Sequence, residues 1–165
     1  MIKKIALLLL TSLFMITACK KVDLEKEYMT ITHDANKLYI EFTDKTSEIM
    51  INLRMKIEDK SYDLDKTIGE INKTKDFYIN KYETIESSFK NDISKQSIEL
   101  KKLLVRDVCD NTVKTLEKFK NLPEKNNITL NNLIKEEVEK TKGQIQQYLD
   151  KDFEILKEID NMVNR

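Results

Sequence analysis

From residue 24 onward, apolar side chains recur at spacings of three and four residues. This spacing places them along one face of an α-helix, whereas a half-buried strand requires alternation at every second residue. Two glycines and one proline among 165 residues are also too few for a chain of strands and tight turns. The pattern therefore predicts an all-α fold: an elongated antiparallel helical bundle or coiled coil of three to four long helices.

The first helix is predicted to run from about Leu24 to Asp59, and a turn with a helix cap is predicted at Ser61–Asp63. A second apolar stripe covers Leu64–Phe89. After Phe89, the next apolar residue on the same helix face is Ile93. Two spacings of four residues therefore follow each other, from Ile85 to Phe89 and from Phe89 to Ile93, whereas a heptad repeat alternates spacings of three and four. Two alternatives follow. Either the chain turns near residue 90 and forms four helices of similar length, or one long helix continues and the molecule has three.

Pro123 predicts that the preceding helix ends near Asn121, since proline lacks the backbone donor and clashes with the preceding turn. Glu124–Asn127 is predicted to be a loop.

The last helix is predicted from about Leu130 to Met162, with Thr129 or Asn131 as its cap. Its register alternates steps of four and three, which is typical of the seam of a coiled coil or long bundle. Asp152 falls in this seam, where we expect it to pair with a lysine such as Lys75. Self-association through the seam is a further expectation. The seam positions are Ile134, Val138, Thr141, Ile145, Tyr148, Asp152, Ile155, Ile159 and Met162.

The amino-terminal stretch has the features of an export signal. Lys3 and Lys4 give a basic start, and an apolar run follows from Ile5 to Ile16. This run is shorter than the roughly 20 residues that a helix needs to cross a bilayer. We therefore interpret it as a cleaved signal peptide and not as a transmembrane helix.

The tetrapeptide Ile16-Thr17-Ala18-Cys19 resembles the lipobox of bacterial lipoproteins. The resemblance implies that a signal peptidase recognises Ile16, Thr17 and Ala18 and removes residues 1–18. It also implies that the sulfur of Cys19 carries a diacylglyceryl group, and that a further acyl chain such as palmitate caps the new amino terminus. Residues 19–23 would then form the lipidated anchor and a short tether, and residues 24–165 the helical domain.

Such an anchor attaches an otherwise water-exposed protein to the membrane. Each buried methylene contributes about 0.8 kcal/mol, so two or three acyl chains hold firmly where one holds marginally. Lysine follows the cysteine at position 20, and the family's sorting rule then favours the outer membrane over the inner membrane of the cell envelope.

The remaining residues do not indicate catalysis, a metal or a cofactor. The formal net charge is zero, without the basic excess of a nucleic-acid-binding protein. The chain has one histidine, His33, and, in addition to Cys19, one cysteine, Cys109. These residues are too few for a zinc site, and no nucleotide-binding or hydrolase motif is present. We interpret Cys109 as a core residue, His33 as a surface residue, and carboxylates such as Glu136-Glu137 as solubilising charges.

A tyrosine stripe, Tyr78 and Tyr82, with Phe77 and Phe89 nearby, has helical spacing. This spacing favours core packing over an aromatic contact surface.

The leading functional hypothesis is a non-enzymatic, lipid-anchored interaction protein of the bacterial envelope. It binds another protein through its helix faces, as surface adhesins and proteins that capture host factors do. The alternative is a periplasm-facing structural or accessory subunit of an envelope complex. Both rest on analogy of architecture, and fold alone does not determine function.

Overall fold

A computed structural model of the protein describes residues 21–122 and 126–164, and the regular structure in these segments is entirely helical. The predicted all-α fold is therefore confirmed. The described residues form four helices: α1 (α-helical at 21–30, a π-helical turn Ile31–Ala35, and the α-helix Asn36–Glu58), α2 (Leu64–Ser87), α3 (Asp92–Lys120) and α4 (Asn127–Val163).

The helices form an antiparallel bundle in which each helix packs against the next along the chain. The ion pair of Lys75 with Asp110 joins the middles of α2 and α3. The hydrogen bond from Tyr148 to Asp107 joins the middles of α3 and α4 in the same way. Because α3 packs along both α2 and α4, it is the central helix, whereas α1 and α4 contact each other at only a few points.

The chain turns near residue 90, which decides between the two alternatives. Helix α2 ends at Ser87 and α3 begins at Asp92. The hydroxyl groups of Ser87 and Ser88 donate to the carbonyl oxygens of Thr84 and Ile85, at 2.8 and 2.6 Å. Such local bonds from serine compete with the continuation of a helix. The four helices are not of similar length, however, since α2 has 24 residues and α4 has 37.

The helix starts show where local signals succeed and where they mislead. Asp63 caps α2 as predicted, because its side chain accepts from the Lys66 amide at 2.9 Å. Helix α4 begins at Asn127 and not near Leu130, and its cap is neither Thr129 nor Asn131. Asn126 accepts from the Thr129 amide at 2.8 Å, so Thr129 is the donor in the first turn.

The predicted apolar stripes form most of the core. The fully buried large side chains come from all four helices: Tyr82, Phe42, Phe119, Ile31, Leu53, Ile57, Ile98, Leu116, Leu130 and Ile159. Of the nine predicted seam positions of α4, Thr141, Asp152 and Ile159 are buried, whereas Val138 and Met162 are exposed, at 40% and 50%. The other four, Ile134, Ile145, Tyr148 and Ile155, are half-buried. At 1.5 Å per residue, α4 is about 55 Å long.

The lipobox residues Ile16, Thr17, Ala18 and Cys19 lie outside the described residues. Among the helices at 21–122 and 126–164, none combines the length and apolar character that a membrane span requires.

Candidate binding groove and buried polar cluster

A groove lies between α1 and α4 and is also lined by residues of α3. Its volume is about 300 Å³, at the lower end of the range for ligand pockets. The aliphatic side chains that line it come from all three helices: Met50, Val108, Leu116, Ile134, Val138 and Ile145.

The hydroxyl groups in the lining do not make the groove polar. Three of them bond to their own helix: Thr43 donates to the Ile40 carbonyl at 2.8 Å, Thr46 to Phe42 at 2.9 Å, and Thr112 to Val108 at 2.8 Å. A hydroxyl satisfied by its own backbone has little demand for another partner. The lining is therefore mostly apolar.

Two charged residues, Glu137 and Lys142, interrupt this lining, and Glu137 brings a partly buried carboxylate into the groove. One oxygen accepts from the Thr115 hydroxyl at 2.9 Å and the other from the Thr141 hydroxyl at 3.2 Å. The groove's lysine, Lys142, pairs instead with the exposed Glu139 at 2.7 Å. Within residues 21–122 and 126–164, Glu137 forms no ion pair. Its negative charge is thus held by neutral donors alone.

A second polar group is buried between α3 and α4. Asp152 accepts hydrogen bonds from Ser97 and Lys101, and the Lys101 and Asp152 side chains are only 6% and 9% exposed. The expectation that Asp152 lies in the seam and pairs with a lysine is confirmed. The suggested partner, Lys75, is wrong, because α2 lies diagonally across the bundle from α4 and Lys75 meets Asp110 of α3 at 2.7 Å.

The electrostatics of this cluster point to a structural role. Burial lowers the pKa of Lys101, and the Asp152 carboxylate opposes that shift. The adjacent cavity holds about 10 Å³, roughly enough for one water molecule and not for a substrate. A buried ion pair of this kind more often sets the register of packed helices than performs chemistry.

Cys109 and His33 lie where the sequence predicts. Cys109 is 1% exposed, and burial raises the pKa of its thiol to about 12 although the nearby Lys75 charge opposes the shift. A thiol with this pKa is neutral and unreactive at physiological pH. His33 is exposed, with Nδ1 at 2.7 Å from a carboxylate oxygen of the neighbouring Asp34.

The tyrosine stripe is core, as expected. Tyr78 and Tyr82 are buried, and the Tyr82 hydroxyl donates at 3.2 Å to the carbonyl oxygen of Ala35, the last residue of the π-helical turn of α1. Burial raises the pKa of Tyr82. Phe89 is also buried, whereas Phe77 is exposed.

No set of three or more histidine, cysteine, aspartate or glutamate side chains is grouped to hold a metal ion in the part of the chain that the structure describes.

Sequence reasoning missed both the groove and the partly buried position of Glu137 in it. Glu136 is exposed, as expected of a solubilising charge, but Glu137 is not. One signal was available: Glu137 precedes the seam residue Thr141 by four positions, so the two share a helix face.

No family model, curated protein or solved structure matches this chain. Its function must therefore be argued from the chemistry of the sites themselves.

Proposed function

We propose that this protein is a lipid-anchored, non-enzymatic binding module of the bacterial envelope. Its helical bundle is tethered to a membrane through Cys19 and binds a protein partner through the surface between α1 and α4.

The anchoring part of the proposal is supported by residues 1–19. A basic start, a short apolar run and the tetrapeptide Ile16-Thr17-Ala18-Cys19 occur in the order that lipoprotein export requires. The described helices from residue 21 onward offer no membrane span of their own. Attachment to a membrane would therefore fall to acyl chains at Cys19.

The observation that carries the binding part is the groove. It is mostly apolar, open to solvent and interrupted by one carboxylate that has no cationic partner among the residues that the structure describes. Binding sites are typically concave, mostly apolar and furnished with a few placed polar groups, and the groove has these features. The buried cluster at Asp152 offers no comparable space for a ligand.

Cell fractionation with metabolic palmitate labelling tests the anchor. The parent chain is expected in the membrane fraction with palmitate attached, and Cys19→Ser is expected to lose both the label and the stable membrane association. Cys109→Ser is the matched control, because it removes the other thiol and leaves the lipobox intact. A Cys19→Ser chain that stays as firmly bound as the parent would contradict the proposal.

Protease treatment of intact cells tests on which side of the outer membrane the bundle lies. A surface-displayed binding module is cleaved. A bundle that survives until the outer membrane is opened would favour the periplasmic accessory role instead.

A further inference from the structure

We propose that the groove between α1 and α4 binds an amphipathic helix of a partner protein, with one lysine or arginine of that helix paired to Glu137. This inference rests on the proposed function as a binding module and names the chemistry of its partner.

The dimensions of the groove fit the side chains of a helix lying across it. On α4 the lining runs from Ile134 to Ile145, a rise of about 16 Å and three helical turns. A helix with its side chains is about 10 Å or more in diameter. A volume of about 300 Å³ is too small for a complete helix of that length but accepts the apolar side chains of one face.

The walls of the groove also favour a helix over an extended peptide. An added strand needs the free backbone donors and acceptors of a sheet edge. Here all three walls are α-helices, whose backbone groups are already paired within each helix. Recognition must therefore go through side chains, as it does when an apolar helix face lies in a groove.

The charge of Glu137 specifies the remaining feature of the partner. An ionised carboxylate offers about four acceptor sites, and the hydroxyls of Thr115 and Thr141 occupy two. A wholly apolar occupant would remove water from this carboxylate without replacing it, which is unfavourable. A lysine or arginine among the apolar residues of the occupant supplies the missing positive charge and donors.

Binding of defined peptides to the full-length chain tests this inference. The probe is a fluorescent amphipathic helical peptide of about four turns, with leucines along one face and a lysine at the centre of that face. Two further peptides carry glutamine or glutamate in place of the lysine. Binding is measured by anisotropy on membranes that contain the chain, against membranes that lack it.

The lysine peptide is expected to bind the parent roughly tenfold more tightly than the glutamine peptide, as a charge-assisted hydrogen bond implies. Glu137→Gln should abolish the preference, and Glu137→Lys should reverse it in favour of the glutamate peptide. Glu136→Lys is the matched control, because it makes the same charge change on the exposed side of α4 and should leave the preference unchanged.

Several outcomes would overturn the inference: equal affinity of the parent for the lysine and glutamine peptides, binding of none of the peptides, or equal effects of Glu136→Lys and Glu137→Lys. Sedimentation that shows a dimer disrupted by Glu137→Lys would assign the groove to a second copy of this chain, which also overturns it. If Glu137→Lys fails to fold, as circular dichroism would reveal, the nearly isosteric Glu137→Gln variant decides the question alone.

Different results would contradict the lipid-anchored binding module and the binding of a helix in the groove. A chain without a lipid anchor appears in the soluble fraction, where the same peptides can still be tested. Conversely, a natural partner that binds the Glu137→Lys variant as tightly as the parent would support the function as a binding module. It would also show that the groove is not the binding site.

Discussion

Asp152 is a charged residue at a position where the register of α4 calls for an apolar one. Its carboxylate is held by Ser97 and Lys101, so the charge is compensated although it is buried. A compensated buried pair adds little net stability, but one partner left alone is costly, since the remaining charge has neither water nor a counter-charge.

Asp152→Asn is accordingly expected to lower the free energy of unfolding by about 3 kcal/mol, because it leaves Lys101 buried without its counter-ion. The double replacement Lys101→Met with Asp152→Leu is expected to be neutral or stabilising. Guanidinium denaturation measures both effects. Asp150→Asn, at an exposed position of the same helix, should change stability by less than about 0.5 kcal/mol. Stability unchanged by Asp152→Asn would show that the pair contributes nothing.

Cys109 links stability to alkaline pH. Its pKa is about 12 in the folded protein against an ordinary value of 9.0. As the pH rises from 9 toward 12, the unfolded chain loses this proton while the folded chain keeps it, so stability falls through that window. Between about pH 8 and about pH 10.5 the parent should lose about 2 kcal/mol more than Cys109→Ala. Denaturation curves at the two pH values test this, and parallel losses in both proteins would rule it out.

Among the helices, the first turns of α1 have an unexpected partner in the turn between α2 and α3. The buried carboxylate of Glu27 accepts from the backbone amides of Lys90 and Asn91 and, at 2.9 Å, from the Asn91 side chain. Asn91 precedes α3 and does not cap it with its own side chain. Glu27 therefore supplies negative charge near the positive start of α3.

Glu27→Ala is expected to cost about 2 kcal/mol, since it removes hydrogen bonds to a charged group from a buried site. Amide hydrogen exchange should accelerate at Lys90 and Asn91 more than at the middle of α3. Glu25→Ala, two residues away at an exposed position, should change neither measurement. Unchanged protection of these two amides would mean that the turn is stable without Glu27.

The helix boundaries show how far local signals reach. The boundaries beside Asp63 and Pro123 were predicted, and the turn that follows the serines at 87 and 88 was one of two predicted alternatives. These signals could be read because each residue acts on its immediate neighbours. The π-helical turn at Ile31–Ala35 has no comparable local signal, and nothing in the apolar spacing indicates it.

At the scale of the whole bundle, its two ends bring different elements together, and the groove lies on one side between them. The amino terminus of α1 lies beside the α2–α3 turn through Glu27, and the opposite end is closed by the Asn127 side chain, which donates to the Ile57 carbonyl at 2.7 Å. Thr43, the first groove residue of α1, is 22 residues beyond Lys21, or about 33 Å along the helix. The groove is therefore far along α1 from the end at which the proposed anchor precedes the helix.

The helical class, most of the buried apolar positions and the core placement of Cys109, Tyr82 and Asp152 were determined by the order of residues, because periodicity and turn signals act over a few positions. Packing alone decided which faces meet. Asp152 selects Lys101 over Lys75 because α3 is the neighbour of α4, and Glu27 meets a turn that lies 63 residues further along the chain. The groove beside Glu137 likewise exists only because residues of α1, α3 and α4 meet around it, an arrangement that no spacing within one helix encodes.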